Sequence, residues 1–208
     1  MKLHYAPQSP FARKVRAAAI ELGLCGRIDL EYTEVVPGHP NRAYGQSHNP
    51  LRKIPALVID DGTTIYDSTV ICEYLDDLAG GGIIIPQHGS QRWRVLTNHA
   101  LAQGLCDSVI LIRYETWLRP EALRWSSWTD EHWDKINSGL AWFDQNNAEL
   151  GGSVNIAHLA FGSLLGYIDF RWPENGWRDR FPSVGGWFAE LERRPSFLET
   201  RPTVPPLS

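Results

Sequence analysis

Three short segments carry residue types whose chemistry can go beyond packing. The first is Ser9-Pro10-Phe11, which follows the alternating run Lys2-Leu3-His4-Tyr5 and a turn through Ala6-Pro7-Gln8. Serine before proline suits a helix N-cap with proline at the first helical position, where its missing N–H costs nothing. A hydroxyl at the positive end of a helix also holds anions, thiolates included. Capping is the commoner role, so Ser9 alone does not decide the chemistry. The second segment is Lys53-Ile54-Pro55, ahead of the apolar Ala56-Leu57-Val58-Ile59. Pro55 is either a strand-edge device or part of a cis peptide that turns the N–H and C=O of Ile54 outward, toward an extended peptide ligand. Both isomers remain open. The third is Asp67-Ser68. Asp67 can simply cap a helix; as a pair, the helix N-terminus with the Ser68 hydroxyl holds a carboxylate while Asp67 holds an adjacent ammonium.

The surrounding patterns supply elements that can position these segments. After Ser9, Val15, Ala18, Ala19 and Leu22 recur at helical spacing, with Arg13, Lys14, Arg16 and Glu21 off that apolar row and Gly23 where the helix would end. The stretch 27–35 alternates Ile28, Leu30 and Tyr32 with charged neighbours, as a half-buried strand does. Residues 36–47 read as a loop with a short helix, and 56–66 as a hairpin turning at Asp60-Asp61-Gly62. A helix then runs from the Asp67-Ser68 cap to about Leu78, with Ile71, Tyr74, Leu75 and Leu78 on one face. Gly80-Gly81-Gly82 and Pro86 read as a linker, and only helical patterns follow, over about 90–118, 129–146, 156–171 and 183–194. The tail from Arg201 to Ser208, with Pro202, Pro205 and Pro206, cannot be helical. The expected fold class is α/β plus all-α: a small α/β domain at 1–80, then an all-helical domain at 88–208.

Composition narrows the function classes. The net charge of −4 argues against nucleic acid or an anionic membrane as the main partner. Ala157–Ile168, the least polar long run, is too short to span a bilayer and contains His158. The chain opens into a strand-like run with no secretory signal pattern. Cys25, Cys72 and Cys106 are odd in number and widely spaced, which suits a reducing, cytoplasmic setting better than disulfides or zinc. The seven histidines show no metal-ligand spacing, so no metal is expected.

The three segments together describe one ligand: a thiolate at Ser9, a peptide backbone at Ile54 and an amino-acid head at Asp67-Ser68. Glutathione has all three parts. The order S-P-F-A-R-K-V-R, N-P-L-R-K-I-P-A-L and Y-D-S-x-x-I-x-x-Y-L resembles the glutathione S-transferase family, and the likeness continues through the Asn155–Arg171 segment and R-F-P-S-V-G-G-W-F-A-E-L-E-R-R-P-S-F. It covers nearly the whole chain, and is similar in flavour to the bacterial serine-type, YibF-like group.

The resemblance implies a thioredoxin-like N-terminal domain and an all-helical domain contributing the electrophile pocket. It implies that Ser9 is the catalytic hydroxyl, that Ile54 and a cis Pro55 hold the cysteinyl unit, and that Asp67 and Ser68 hold the γ-glutamyl end. Lys53 would lie near the glycine carboxylate, and Phe11 would wall the electrophile pocket together with helix residues between Gln103 and Tyr114. Glutathione is then a co-substrate, its partner a small hydrophobic electrophile, and the protein a homodimer. The alternatives are a glutathione-binding regulatory or interaction protein, and a glutathione-dependent peroxidase. Serine in place of a glutaredoxin-type cysteine at position 9 disfavours disulfide reduction. In the helical half, Asn155-Ile156-Ala157-His158 replaces the usual capping box, and His158 cannot return a carboxylate to the cap.

Overall fold

A computed structural model describes residues 1–204; Pro205 and Pro206 of the proline-bearing tail lie outside them. Strands β1 (Lys2–Tyr5), β2 (Asp29–Tyr32), β3 (Ala56–Val58) and β4 (Thr64–Ile65) form one sheet in the order β2-β1-β3-β4. β1 and β2 are parallel and the other pairings antiparallel. Helix α1 (Pro10–Glu21) connects β1 to β2, α2 (Arg42–Ser47) precedes β3, and α3 (Ser68–Leu78) follows β4. From there the chain is helical: α4 (Gly89–Trp117), α5 (Ser126–Gln145), α6 (Ile156–Arg171), α7 (Trp177–Arg180), α8 (Pro182–Leu191) and α9 (Pro195–Leu198). This is a thioredoxin-like domain followed by an all-helical one.

The alternation in the second strand does not mark a half-buried face. All four β2 residues are exposed, Leu30 at 46% and Tyr32 at 39%, because β2 is the outer strand and pairs only with β1. Helix α1 departs from expectation in the opposite sense. Val15, Ala18 and Ala19 are buried as their spacing predicts, yet Arg13 and Lys14 are only 3% and 1% exposed. The helical half covers the side of α1 that the sheet and α3 leave open. Arg13 Nη2 donates to the Phe197 carbonyl at 3.2 Å and its guanidinium lies 4.8 Å from the Phe197 ring centre.

α6 is the centre of the second half: every residue from Ile156 to Ile168 is buried, so its sequence is apolar on all sides. Two glycines admit its neighbours. A Cβ at Gly162 would meet the Phe197 ring at 2.6 Å, and one at Gly166 would collide with Arg13 Nη1. Asn155 caps α6 by accepting from the N–H groups of Ala157 (3.0 Å) and His158 (3.2 Å). His158 offers no carboxylate to the cap; its Nε2 lies 3.1 Å from the Glu149 carbonyl and 3.4 Å from Nδ2 of the capping Asn155. By length and mean hydropathy (1.3 over its most apolar window) α4 also reaches the span of a bilayer; half of that window is buried, against α5 and α6.

The glycine-rich connection between the halves is tied down by one carboxylate. Asp76, 4% exposed near the end of α3, accepts from the N–H groups of Gly82 (2.9 Å), Ile83 (3.0 Å) and Ile84 (2.8 Å). The Ile84 carbonyl in turn accepts from the first N–H of α6, that of Ile156, at 3.0 Å. In an Asp76→Asn variant the amide oxygen can keep two of these donors, but the amide nitrogen faces the third as donor to donor. We expect that change to lower unfolding stability by about 1.5–3 kcal/mol, read from the midpoint of a urea denaturation curve.

Candidate active site

The sheet register brings the three segments to one edge. β1 runs toward its end at Tyr5, β3 begins with Ala56 opposite His4, and β4 ends with Ile65 opposite Leu57. The turn into α1, the Ile54–Pro55 bond and the Asp67–Ser68 pair therefore leave the same end of the sheet.

At the first of these positions Ser9 is extended (φ −78°, ψ 123°) and caps α1, its Oγ accepting from Ala12 N–H at 3.2 Å. Pro10 has no N–H, and that of Arg13 goes to the Ser9 carbonyl at 2.9 Å. The Phe11 N–H is thus the free donor of the first turn. The Ser9 hydroxyl hydrogen meets no acceptor among the described residues, so it can be donated to an anion in front of the helix. Capping and anion binding use different atoms of the hydroxyl group, so one does not exclude the other.

The Ile54–Pro55 bond is cis. Ile54 lies outside the strands, and neither its N–H nor its C=O has a backbone partner among the described residues. The preceding carbonyl, that of Lys53, accepts from Tyr44 Oη and from Asn49 Nδ2, both at 2.9 Å. Tyr44 is 5% exposed, packed against His4 and His48 with ring centres 5.3 and 5.7 Å away. This clamp fixes the backbone on which an extended peptide would pair. The Lys53 side chain is exposed.

Asp67 caps α3 through Oδ1, which accepts from Thr69 N–H at 3.0 Å. Its other oxygen remains free for an ammonium group. Ser68 is 1% exposed and its hydroxyl makes no hydrogen bond among the described residues. The N–H groups of Ser68 and Val70 open the first turn toward an incoming carboxylate.

The structure adds residues that pattern reading had placed elsewhere or passed over. Lys14 Nζ donates to Gln103 Oε1 at 2.8 Å and faces His99 Nε2 at 3.0 Å, joining α1 to α4 inside the protein. Burial lowers its pKa from the usual lysine value. Burial also pushes His99 down to about 3, with the Lys14 charge acting in the same direction. Asp107, one turn beyond Gln103, has its carboxyl raised by partial desolvation; Lys53 offsets this and Asp67 adds to it, so this face of α4 looks across at the same edge. Lys14 gave no signal in the sequence because a lysine off the apolar row reads as solvated. Asn49, before Pro50, reads as a turn residue and gave no hint of its acceptor.

Phe11 is half-buried and packs on the margin of the core. Two cavities open elsewhere. One of about 560 Å³ lies between α4 and α5 beside Leu101, Gly104 and Trp142, and one of about 350 Å³ lies beside the linker, Arg94 and Glu149. Neither includes Ser9, Ile54 or Asp67. Among the described residues no group of three or more His, Cys, Asp or Glu side chains could hold a metal ion.

Both halves of the chain resemble known proteins. Residues 3–82 match the family model of the glutathione S-transferase N-terminal domain, and residues 126–190 that of the C-terminal domain. A glutathione transferase family member from Pseudomonas fluorescens Pf-5, solved with bound glutathione, is 43% identical, with 98% of this chain and 99% of that one aligned at a TM-score of 0.94. A Pseudomonas fluorescens Pf-5 family member solved with S-(propanoic acid)-glutathione is 41% identical over 98% of this chain and 100% of that one, at a TM-score of 0.90. The GST-like protein YibF of Escherichia coli K12 is 29% identical over 97% of this chain and 98% of its own length.

Two outcomes test the supporting groups. Tyr44→Phe removes one of two bonds to the Lys53 carbonyl, and should raise KM for glutathione about 2- to 10-fold with little change in kcat. His99 is neutral when folded, with a pKa below its unfolded value of 6.5. Its contribution is therefore complete above about 6.5 and is lost as pH falls from there toward about 3. In His99→Gln, the decline of thermal stability on acidification should be shallower than in the native protein.

Proposed function

Because the chain belongs to the glutathione S-transferase family and is a glutathione S-transferase, we propose that it joins the glutathione thiolate to small hydrophobic electrophiles, with Ser9 holding the sulfur. The observation that carries this is the Ser9 hydroxyl at the N-terminus of α1, oriented by the Ala12 N–H and free to donate its own proton. Ile54 pairs with the cysteinyl backbone through its unpartnered N–H and C=O. Asp67 takes the γ-glutamyl ammonium, and Ser68 with the first turn of α3 takes the carboxylate beside it. Lys53 faces the glycine carboxylate, and Phe11 walls the electrophile pocket toward α4. The glutathione and the glutathione thioether bound by the Pseudomonas relatives support a site of this kind.

The magnitudes are sufficient. A thiol of pKa about 8.5 is only a few per cent ionised at neutral pH, and bringing it to about 6.5 needs roughly 2.7 kcal/mol. A hydrogen bond from Ser9 to the charged sulfur contributes about 1.5–3 kcal/mol and the helix N-terminus roughly 0.3–1 kcal/mol. Ser9 dominates and need be neither base nor nucleophile. With an aryl halide, the thiolate attacks the ring carbon, the C–S bond forms and halide leaves.

Two attributes come from the resemblance and the surface. We take the protein to be a homodimer, which accords with exposed Val70 on α3 and Trp93 on α4, flanking the Arg92–Glu73 ion pair of 3.2 Å. A cytoplasmic setting accords with three unbridged cysteines, Cys25, Cys72 and Cys106.

Ser9→Ala should lower the conjugation rate about 10- to 100-fold, equivalent to roughly 1.4–2.7 kcal/mol. Titrating glutathione while following thiolate absorbance should show a depressed thiol pKa in the native protein and its loss in the variant. An unchanged rate in the folded variant would remove Ser9 from the mechanism.

A further inference from the structure

Two guanidinium groups, those of Arg113 and Arg171, neighbour each other near the ends of α4 and α6, and neither forms an ion pair among the described residues. The helices run side by side in the same direction. Cys106 Sγ on α4 donates to the Ala160 carbonyl on α6 at 3.8 Å, and seven residues beyond each of these lie Arg113 and Tyr167. Arg171 follows one turn later. Arg113 rests over the Trp117 ring at 4.6 Å, and Arg171 over the Phe170 ring at 4.4 Å and the Tyr167 ring at 5.7 Å. The Nε atoms of both arginines are buried without a hydrogen-bond partner, and neither side chain forms an ion pair among the described residues.

Arg13, Arg16 and Arg180 likewise lie over aromatic rings with no ion pair among the described residues, whereas three other arginines are matched by acids. Arg178 is held by Asp169 and Glu192, Arg119 by Glu115, and Arg194 by Glu21. Aromatic faces hold a guanidinium in place without neutralising it, and the Tyr167 hydroxyl is a further polar neighbour of Arg171. Burial, and then the charge of Arg171, lower the pKa of Arg113, with Tyr167 partly offsetting them. α4 passes Lys53 and Asp67 at Asp107, six residues before Arg113, and α6 meets α1 at Gly166, five residues before Arg171. At 1.5 Å per residue these are steps of about 7–9 Å along each helix.

We propose that Arg113 and Arg171 form a carboxylate-binding site at the outer end of the electrophile pocket, so that the preferred electrophiles are small molecules carrying an acid group. This rests on the reading of the chain as a glutathione-conjugating enzyme and names its substrate class. The test compares S-(2-carboxyethyl)glutathione with S-propylglutathione, which share the glutathione portion and differ in the acid, by titration calorimetry. The full chain is used in its native form and as Arg113→Gln and Arg171→Gln. The native protein should bind the acid thioether about 10- to 100-fold more tightly, and the preference should shrink with added salt. Either substitution should remove most of that preference, read as the ratio of the two affinities in each protein. Equal affinities in the native protein, a comparison that needs no variant, would overturn the carboxylate site, as would a preference surviving both substitutions. Failure of both thioethers to bind the native protein would instead overturn the glutathione reading itself.

Discussion

Helix α1 is buried from both sides, and most of the molecule follows from that constraint. The sheet and α3 cover the row of Val15, Ala18 and Ala19, while α6, α9 and α4 cover Arg13 and Lys14. A helix enclosed in this way cannot shift without disturbing both halves. Its first turn, where Ser9 and the free Phe11 N–H sit, is therefore a rigid platform. Preorganised donors of this kind stabilise a thiolate without the reorganisation that water would need.

Burying the charged side of α1 has a cost that the structure offsets locally. Arg13 finds a carbonyl and an aromatic face, and Lys14 finds an amide oxygen and a neutral imidazole. Neither forms an ion pair among the described residues. Isolated buried charge is unfavourable, and such polar contacts recover only part of the loss. The contacts are nevertheless specific: the helical half must be in place, with Gly166 leaving room for Arg13, before α1 is complete. Asp76 acts in the same way on the linker, converting a glycine-rich run into a hydrogen-bonded connection to α6.

The proposed site consists of helix ends and one peptide unit without a backbone partner among the described residues. Such groups bind by geometry and partial charge, and their precision depends on what lies behind them. Tyr44 and Asn49 hold the Lys53 carbonyl from inside the fold, and Asp67 and Ser9 each hold the first turn of their own helix. The groups that face the ligand are few. The groups that keep them there are spread over α1, α2, α4 and the loop before β3.

The local patterns of this chain are enough to show a β-α-β start, a hairpin, a capped third helix and a helical second half, because side-chain periodicity and turn chemistry are properties of neighbouring residues. They also mark Ser9, Ile54, Pro55, Asp67 and Ser68, since caps and proline have local signatures, and the order of those motifs identifies the family. What they do not contain is which side of an element another element covers. Leu30 and Tyr32 alternate like core residues but lie on an uncovered outer strand, whereas Arg13 and Lys14 look solvated but are enclosed. Likewise, the Ile54–Pro55 isomer, the Tyr44 and Asn49 bonds to one carbonyl, and the meeting of Arg113 with Arg171 depend on segments far apart in the chain. Only tertiary packing decides these, because burial and pairing belong to the surfaces that meet and not to the residue that meets them.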